Sequence, residues 1–178
     1  MAQFQPTPQT GSEPPLDWPW YGIGFGAAVK RFFKKYATFS GRASRGEYWW
    51  YALFSAIIGV VFYAVLLAFA LPAMTTASSG GTPRFGAGYY AISGLLSLWG
   101  LATLVPSLAL AWRRLHDTGR SGWNYLFVLI PIAGPIILLV FFASQTTQSA
   151  EQYGPPTSQP AYGYGQQSYP PEQGYTGA

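Results

Sequence analysis

The sequence has no cysteine and one histidine. The first absence removes disulfides, thiolate nucleophiles and Cys-ligated metals, and it leaves the redox compartment unmarked. The second leaves little for a metal site. Carboxylates number only six, and Glu13, Glu151 and Glu172 lie toward the chain ends, so no metal and no cofactor is expected. Charge is scarce too: Asp, Glu, Lys and Arg make up 9% of the chain, against roughly 25% in a soluble domain. From Tyr48 to Pro83 there is no charged residue at all. The N-terminus has no basic start and no early apolar run, so it reads as a retained segment rather than a signal peptide.

What is present points to a bilayer. Half of the chain is hydrophobic (49%) and 18% is aromatic. Three charge-free runs stand out, about 48–71, 89–112 and 123–143. A run of 24 helical residues reaches about 36 Å, more than the roughly 30 Å hydrocarbon core. Trp or Tyr borders each run, as in Tyr48–Tyr51, Tyr89, Tyr90, Trp112, Trp123 and Tyr125, which suits the water–lipid boundary. The expected fold is therefore an all-α integral membrane protein with three transmembrane helices in one domain, residues 20–143. Residues of about 20–38 precede the first span. There Val29, Phe32, Phe33 and Tyr36 recur at helical spacing, with Lys30, Arg31, Lys34 and Lys35 among them. That is the pattern of an amphipathic helix lying in the interface; a helix packed on the rest of the protein is the plainer alternative. Residues 1–19, with five prolines, and 144–178, rich in Tyr, Gly, Pro and Gln, read as disordered tails.

Nine basic residues flank one side of the spans: Lys30, Arg31, Lys34, Lys35, Arg42, Arg45, Arg113, Arg114 and Arg120. Arg84 alone lies on the other. The positive-inside rule then puts the N-terminus and the 113–123 loop in the cytoplasm. Three spans put the C-terminal tail outside. The alternative is that Pro131 and Pro135 around Gly134 fold the third run into a re-entrant hairpin, which returns the tail to the cytoplasm.

Two polar motifs sit at that face. In FSGRASRGEYWW (39–50), Ser40 suits a helix N-cap, Arg42 and Arg45 share a helix face, and Glu47 is the last charge before the apolar run. In RRLHDTGRSGW (113–123), Arg113 and Asp117 are one helical turn apart, Gly119 suits a C-cap, and Ser121 and Gly122 start the next turn. A carboxylate at the edge of a low-dielectric layer needs a cation. The expected staple is Glu47 with Arg113 or Arg114.

Together, FSGRASRGEYWW, RRLHDTGRSGW and an IP-x-x-G run resemble the DUF805 family of small bacterial inner-membrane proteins. The resemblance covers about residues 18–154 and closes on QYG. It is carried by Gly41, Arg42, Ser44, Arg45, Glu47, Tyr48 and Trp49, then by Arg113, Arg114, Leu115, His116, Asp117, Ser121, Gly122 and Trp123. The two extensions depart from the pattern. The resemblance implies an integral protein of the cytoplasmic membrane, and no activity.

Other chemistries fit less well. His116 and Asp117 are adjacent, so on a helix they point about 100° apart and make a poor catalytic pair. Gly22, Gly24 and Gly26 in YGIGFG follow no strand and lack the acidic residue that nucleotide binding needs. Transport is the rival reading, through proline-broken helices and an oligomer joined at small-residue pairs such as Ser55 and Gly59, or Ser93 and Ser97. No ionisable group lies mid-span. The reading adopted is a non-enzymatic membrane scaffold or interaction module. Its candidate cluster comprises Arg42, Arg45, Glu47, Trp49, Arg113, Arg114, His116, Asp117, Arg120, Ser121 and Trp123. The expected partners are the bilayer, anionic phospholipid head groups, and other membrane proteins or further copies of the chain, with no nucleic acid.

Overall fold

The structure, a computed structural model, describes residues 13–154 apart from Asp17. All regular structure among them is helical. Four α-helices follow in order: α1 (Phe25–Lys34), α2 (Arg45–Ser78), α3 (Ala87–Asp117) and α4 (Ala133–Ala143). A 3-10 helix, Gly122–Leu129, precedes α4, and another, Gln148–Tyr153, follows it.

The two long helices start and stop on local signals. At α2 the cap is Ser44, not Ser40. Its Oγ accepts from the Glu47 N–H at 3.1 Å, and Glu47 Oε2 accepts from the Ser44 N–H at 2.8 Å, which makes a complete capping box. Arg42 therefore lies outside the helix that begins at Arg45. At the end of α3, Gly119 has φ +71°. The Gly119 N–H bonds His116 O, and the Arg120 N–H bonds Leu115 O. This is a Schellman closure, and it needs a left-handed residue at Gly119. Inside α3, Pro106 has no N–H for the Ala102 carbonyl one turn back. The Tyr36 hydroxyl donates to that carbonyl at 2.7 Å.

Both helices are longer than the charge-free runs. At 34 and 31 residues they reach about 51 and 46 Å, and both are apolar enough to cross a membrane. Within the most apolar stretch of α2 no residue is buried inside the protein. Val60, Tyr63, Leu98 and Leu101 are all about two-thirds exposed. A helix this apolar and this bare has the composition and exposure of a membrane-spanning segment. The packed core lies at one end of the pair. There Phe32 stacks on Tyr51 with ring centroids 3.4 Å apart, beside Leu110 and Ala43. Tyr48 and Phe142 meet next to Leu115 and Leu138.

The third run, expected as a transmembrane helix, is not one continuous helix. Gly122–Leu129 is a 3-10 helix, and α4 has only 11 residues, about 16 Å of rise. Proline explains the break. Ile130, just before Pro131, is extended (φ −83°, ψ 113°), as a pre-proline residue prefers. Ile132 then takes φ +66° and ψ −57°, with the Ala133 N–H on Pro131 O at 2.7 Å, a γ-turn. Pro135 falls in the first turn of α4, where no N–H is needed. The chain leaves the polar end after Asp117 and returns to it at Ser144, whose carbonyl accepts from Arg114 Nη2. The two arms touch at Gly134: a Cβ there would stand 1.8 Å from Phe127 O. Gly134→Ala is therefore expected to pry the hairpin apart and cost about 1–3 kcal/mol. A thermal melt in detergent, alongside Gly59→Ala, where nothing lies within 4 Å of an added Cβ, is the check.

α1 is shorter than the helix expected over 20–38. Its buried face is Ala28, Arg31 and Phe32, packed toward α2, with Lys35 just beyond its end. Of the expected aromatic face only Phe33 and Tyr36 are exposed, at 40% and 43%. The expected tails also change. Residues 1–12 and 155–178 lie outside the described residues, but the chain on both flanks of the domain is fastened to it. Pro14, Pro15 and Trp18 give their carbonyls to Arg31, and Tyr153 stacks on His116.

Candidate functional site

The two polar motifs do meet, in a buried layer across the end of the α2–α3 pair. The Ala43 N–H bonds Arg113 O at 3.1 Å and joins them directly. Two carboxylates organise the layer.

Glu47, 3% exposed, does not reach Arg113 or Arg114 as expected. Its Oε1 accepts from Arg31 Nε at 2.8 Å and from Lys35 Nζ at 3.4 Å. Its Oε2 accepts from the N–H groups of Ser44 and Trp20. The capping box forces this choice, because it aims the carboxylate back along α2 toward α1. The Arg31 guanidinium is completed by three carbonyls from residues 14–18.

Asp117, fully buried, takes Arg42 Nε at 3.0 Å and Arg114 Nη1 at 2.5 Å. The expected Arg113–Asp117 pair does not form; the pair in its place is three residues apart rather than four. Asp117 also accepts from the hydroxyls of Tyr21 at 3.0 Å and Thr146 at 2.7 Å. Arg114 donates on to Phe142 O and Ser144 O, so one side chain holds the C-terminus of α4. Trp20 serves Glu47 while its neighbour Tyr21 serves Asp117, so two adjacent residues bridge the two nodes.

The remaining residues of the candidate cluster separate. Arg113 is buried. Its Nε donates to Ala109 O, but its Nη1 and Nη2 have no partner. His116 Nδ1 lies 3.1 Å from Gly41 O, and its ring stacks on Tyr153 at 4.0 Å; the imidazole is a packed side chain turned away from Asp117. Arg120 stacks over Phe141 at 4.1 Å. Ser121 caps the 3-10 helix. Trp123 is 67% exposed and meets Trp112 edge-on. Arg45 and Trp49 stand on the exposed start of α2. Of the five arginines expected to converge, Arg42 and Arg114 share Asp117 and the others stand apart; Arg42, Arg113 and Arg114 are 0–2% exposed.

Five buried cations (Arg31, Lys35, Arg42, Arg113 and Arg114) share two buried carboxylates. Carbonyl oxygens offset part of the excess, but Lys35 carries a cost. Burial pushes its amine from 10.5 down to about 8, and Glu47 opposes that only partly. The unfolded chain then binds more protons than the folded one between about pH 8 and 10.5, so folding stability rises with pH there. A gain of roughly 1 kcal/mol is expected from pH 7 to 9. Lys35→Met is expected to remove that slope and to be no less stable at pH 7. Thermal melts of both proteins in detergent across that range would show it.

Sequence reasoning missed Arg31, Lys35, Ser44, Trp20, Tyr21 and the 144–153 segment as members of the layer. The one available signal was Ser44-x-x-Glu47, a capping box written in the sequence. Among the described residues no group of three His, Cys, Asp or Glu gathers as a metal site would require.

The relatives of the chain fit this picture. It is 40% identical over 122 residues to the inner membrane protein YhaI of Escherichia coli, an alignment covering 68% of this chain and 86% of that one. It is 33% identical over 125 residues to the inner membrane protein YhaH of the same organism, covering 70% and 91%. No solved structure matches. The model for "Protein of unknown function (DUF805)" matches residues 36–155, the segment that holds both polar motifs and the hairpin, and the chain belongs to this family of inner-membrane proteins.

Proposed function

We propose that the protein is a non-enzymatic membrane interaction module. Its N-terminus is cytoplasmic, α2 and α3 cross the bilayer, and the hairpin returns the C-terminal segment to the cytoplasmic side. α1 lies in the interface, and a basic rim contacts anionic lipid head groups. The observation that carries this reading is the division of charge. Glu47 and Asp117 are consumed inside the layer by buried cations, while Lys30, Lys34 and Arg45 remain exposed around it. Lys34 meets only the exposed Glu13. Exposed cations near an anionic leaflet add about 1 kcal/mol each. Phe33 and Tyr36, half-exposed on α1, suit the acyl boundary beside them.

The test is the melting temperature in nanodiscs of phosphatidylglycerol against nanodiscs of phosphatidylcholine. The wild type is expected to melt higher in the anionic lipid. The Lys30→Gln, Lys34→Gln, Arg45→Gln triple variant is expected to lose most of that difference. Equal melting of the wild type in both lipids would sink the reading. A reporter fused after Gly154 should register on the same side as one fused at the N-terminus; opposite sides would refute the hairpin topology. The rival, a subunit of an oligomeric transporter, is favoured by the proline-broken hairpin and requires a defined oligomer in detergent.

A further inference from the structure

One groove remains open where the hairpin closes on the two long helices. It has a volume of about 500 Å³, and its walls include Trp49, Ala52, Ala56, Tyr125, Leu138 and Leu139. That size falls within the range of ligand sites. The wall is mainly apolar; one polar pair in it, Tyr51 OH and Ser107 Oγ, is satisfied internally at 3.1 Å, and Tyr48, Ser55 and Tyr125 add further hydroxyl-bearing side chains. Trp49 and Leu139 are exposed at 42% and 56%, so the groove opens sideways, toward lipid.

Its mouth is charged. On α2, Arg45, Trp49, Ala52 and Ala56 follow at spacings of four, three and four, which is one stripe of the helix. Arg45 therefore stands one turn above the groove. Below it Arg114 holds the end of α4, the far wall. Arg45 is exposed and has no ion-pair partner among the described residues. From Arg45 to Ala56 the helix descends about 16 Å, half the thickness of a hydrocarbon core.

We propose that this groove seats one acyl chain of an anionic glycerophospholipid from the leaflet at the polar end, with the lipid phosphate on Arg45. The proposal rests on the head-group reading above and adds a defined seat to it. The depth matches a chain running from phosphate level to the bilayer midplane. The arginine fork suits phosphodiester oxygens. The anionic class follows from the charge at the mouth: among the described residues Arg45 has no carboxylate partner, and Glu47 and Asp117 are buried and paired with other cations.

The test uses the full chain in mild detergent, with native mass spectrometry after adding phosphatidylglycerol or phosphatidylethanolamine of identical acyl chains. The wild type is expected to retain one phosphatidylglycerol in preference to phosphatidylethanolamine. Arg45→Gln is expected to weaken that retention about tenfold, the size of one charge-assisted hydrogen bond. Ala52→Leu and Ala56→Phe fill the groove and are expected to lower retention of both lipids by a similar factor while the melting temperature holds. A measurement that needs no groove-filling variant runs beside it. Phosphatidylglycerol brominated on its acyl chain should quench the wild type more than Trp49→Phe. If folded groove-filling variants retain lipid like the wild type, or if quenching does not depend on Trp49, the seat is refuted while the head-group reading stands. If the wild type shows no preference for the anionic lipid, both fall.

Discussion

Glu47→Gln is expected to lower the unfolding free energy by about 3–5 kcal/mol, a fall of roughly 10 °C in melting temperature for a chain of this size. The substitution keeps the shape and one acceptor for the Ser44 N–H but removes the charge. Arg31 and Lys35, 2% and 1% exposed at their side chains, would then share a low-dielectric pocket with no buried anion, leaving Arg31 only the exposed Glu13 at 3.3 Å. Arg113 worsens the imbalance, because it borders the same small cavity as Arg31 and Glu47 and has two unpartnered nitrogens of its own. The mechanism makes a second claim. Lys35→Met in the Glu47→Gln background should recover part of the loss, because it removes one of the orphaned cations. Melts of the two single variants and the double variant supply the coupling energy. A drop of only a degree or two for Glu47→Gln, or simple additivity in the double variant, would show that the layer is held by its carbonyl contacts and not by this carboxylate.

Asp117→Asn is expected to cost a similar 3–5 kcal/mol but to loosen a different part of the molecule. Asp117 holds Arg42 and Arg114 directly and holds Tyr21 and Thr146 through their hydroxyls. Arg114 in turn holds Phe142 O and Ser144 O. Without the carboxylate, the return arm of the hairpin and residues 144–153 lose their anchor, while the Glu47 node keeps all its partners. Hydrogen exchange distinguishes the two variants. Asp117→Asn should raise exchange over 133–153 and leave α1 near wild type. Glu47→Gln should do the reverse, with the increase at 18–35. Identical exchange maps would mean that the layer is one cooperative unit and that the division into two nodes is wrong.

The parts of this fold legible in the sequence are those set by local rules. Long charge-free runs gave α2 and α3, because the requirement to satisfy every backbone group in lipid leaves few alternatives to a helix. Gly119 was readable as a helix stop because few other residues tolerate its φ of +71°. The separation of His116 from Asp117 followed from the 100° step of a helix. What sequence could not supply was a choice among equivalent partners. Several cations lay within reach of Glu47, and only the direction imposed by the Ser44 capping box selects Arg31 and Lys35. The third run failed for a different reason. Hydropathy counts apolar side chains and is blind to the missing N–H groups of Pro131 and Pro135, which decide whether 21 apolar residues form one helix or break into two. Burial of the arginines was hidden too. Nothing in their spacing reveals that residues 18–21, aromatic and proline-bearing, and 144–153, polar in composition, fold over them as a cover.

The two carboxylate nodes differ in how far along the chain they reach, and that difference sets a timetable. Glu47 finds Arg31 and Lys35 only 16 and 12 residues upstream, so its node is complete once the start of α2 has been made. Asp117 reaches back 75 residues to Arg42 and 96 to Tyr21, and forward 29 to Thr146. That node must wait for nearly the whole described chain. Until then Arg42 and Arg114 lack the carboxylate that they share. The Asp117 node is thus the last clasp to close, and through Tyr21 and Thr146 it ties both flanks of the described chain to the end of α3.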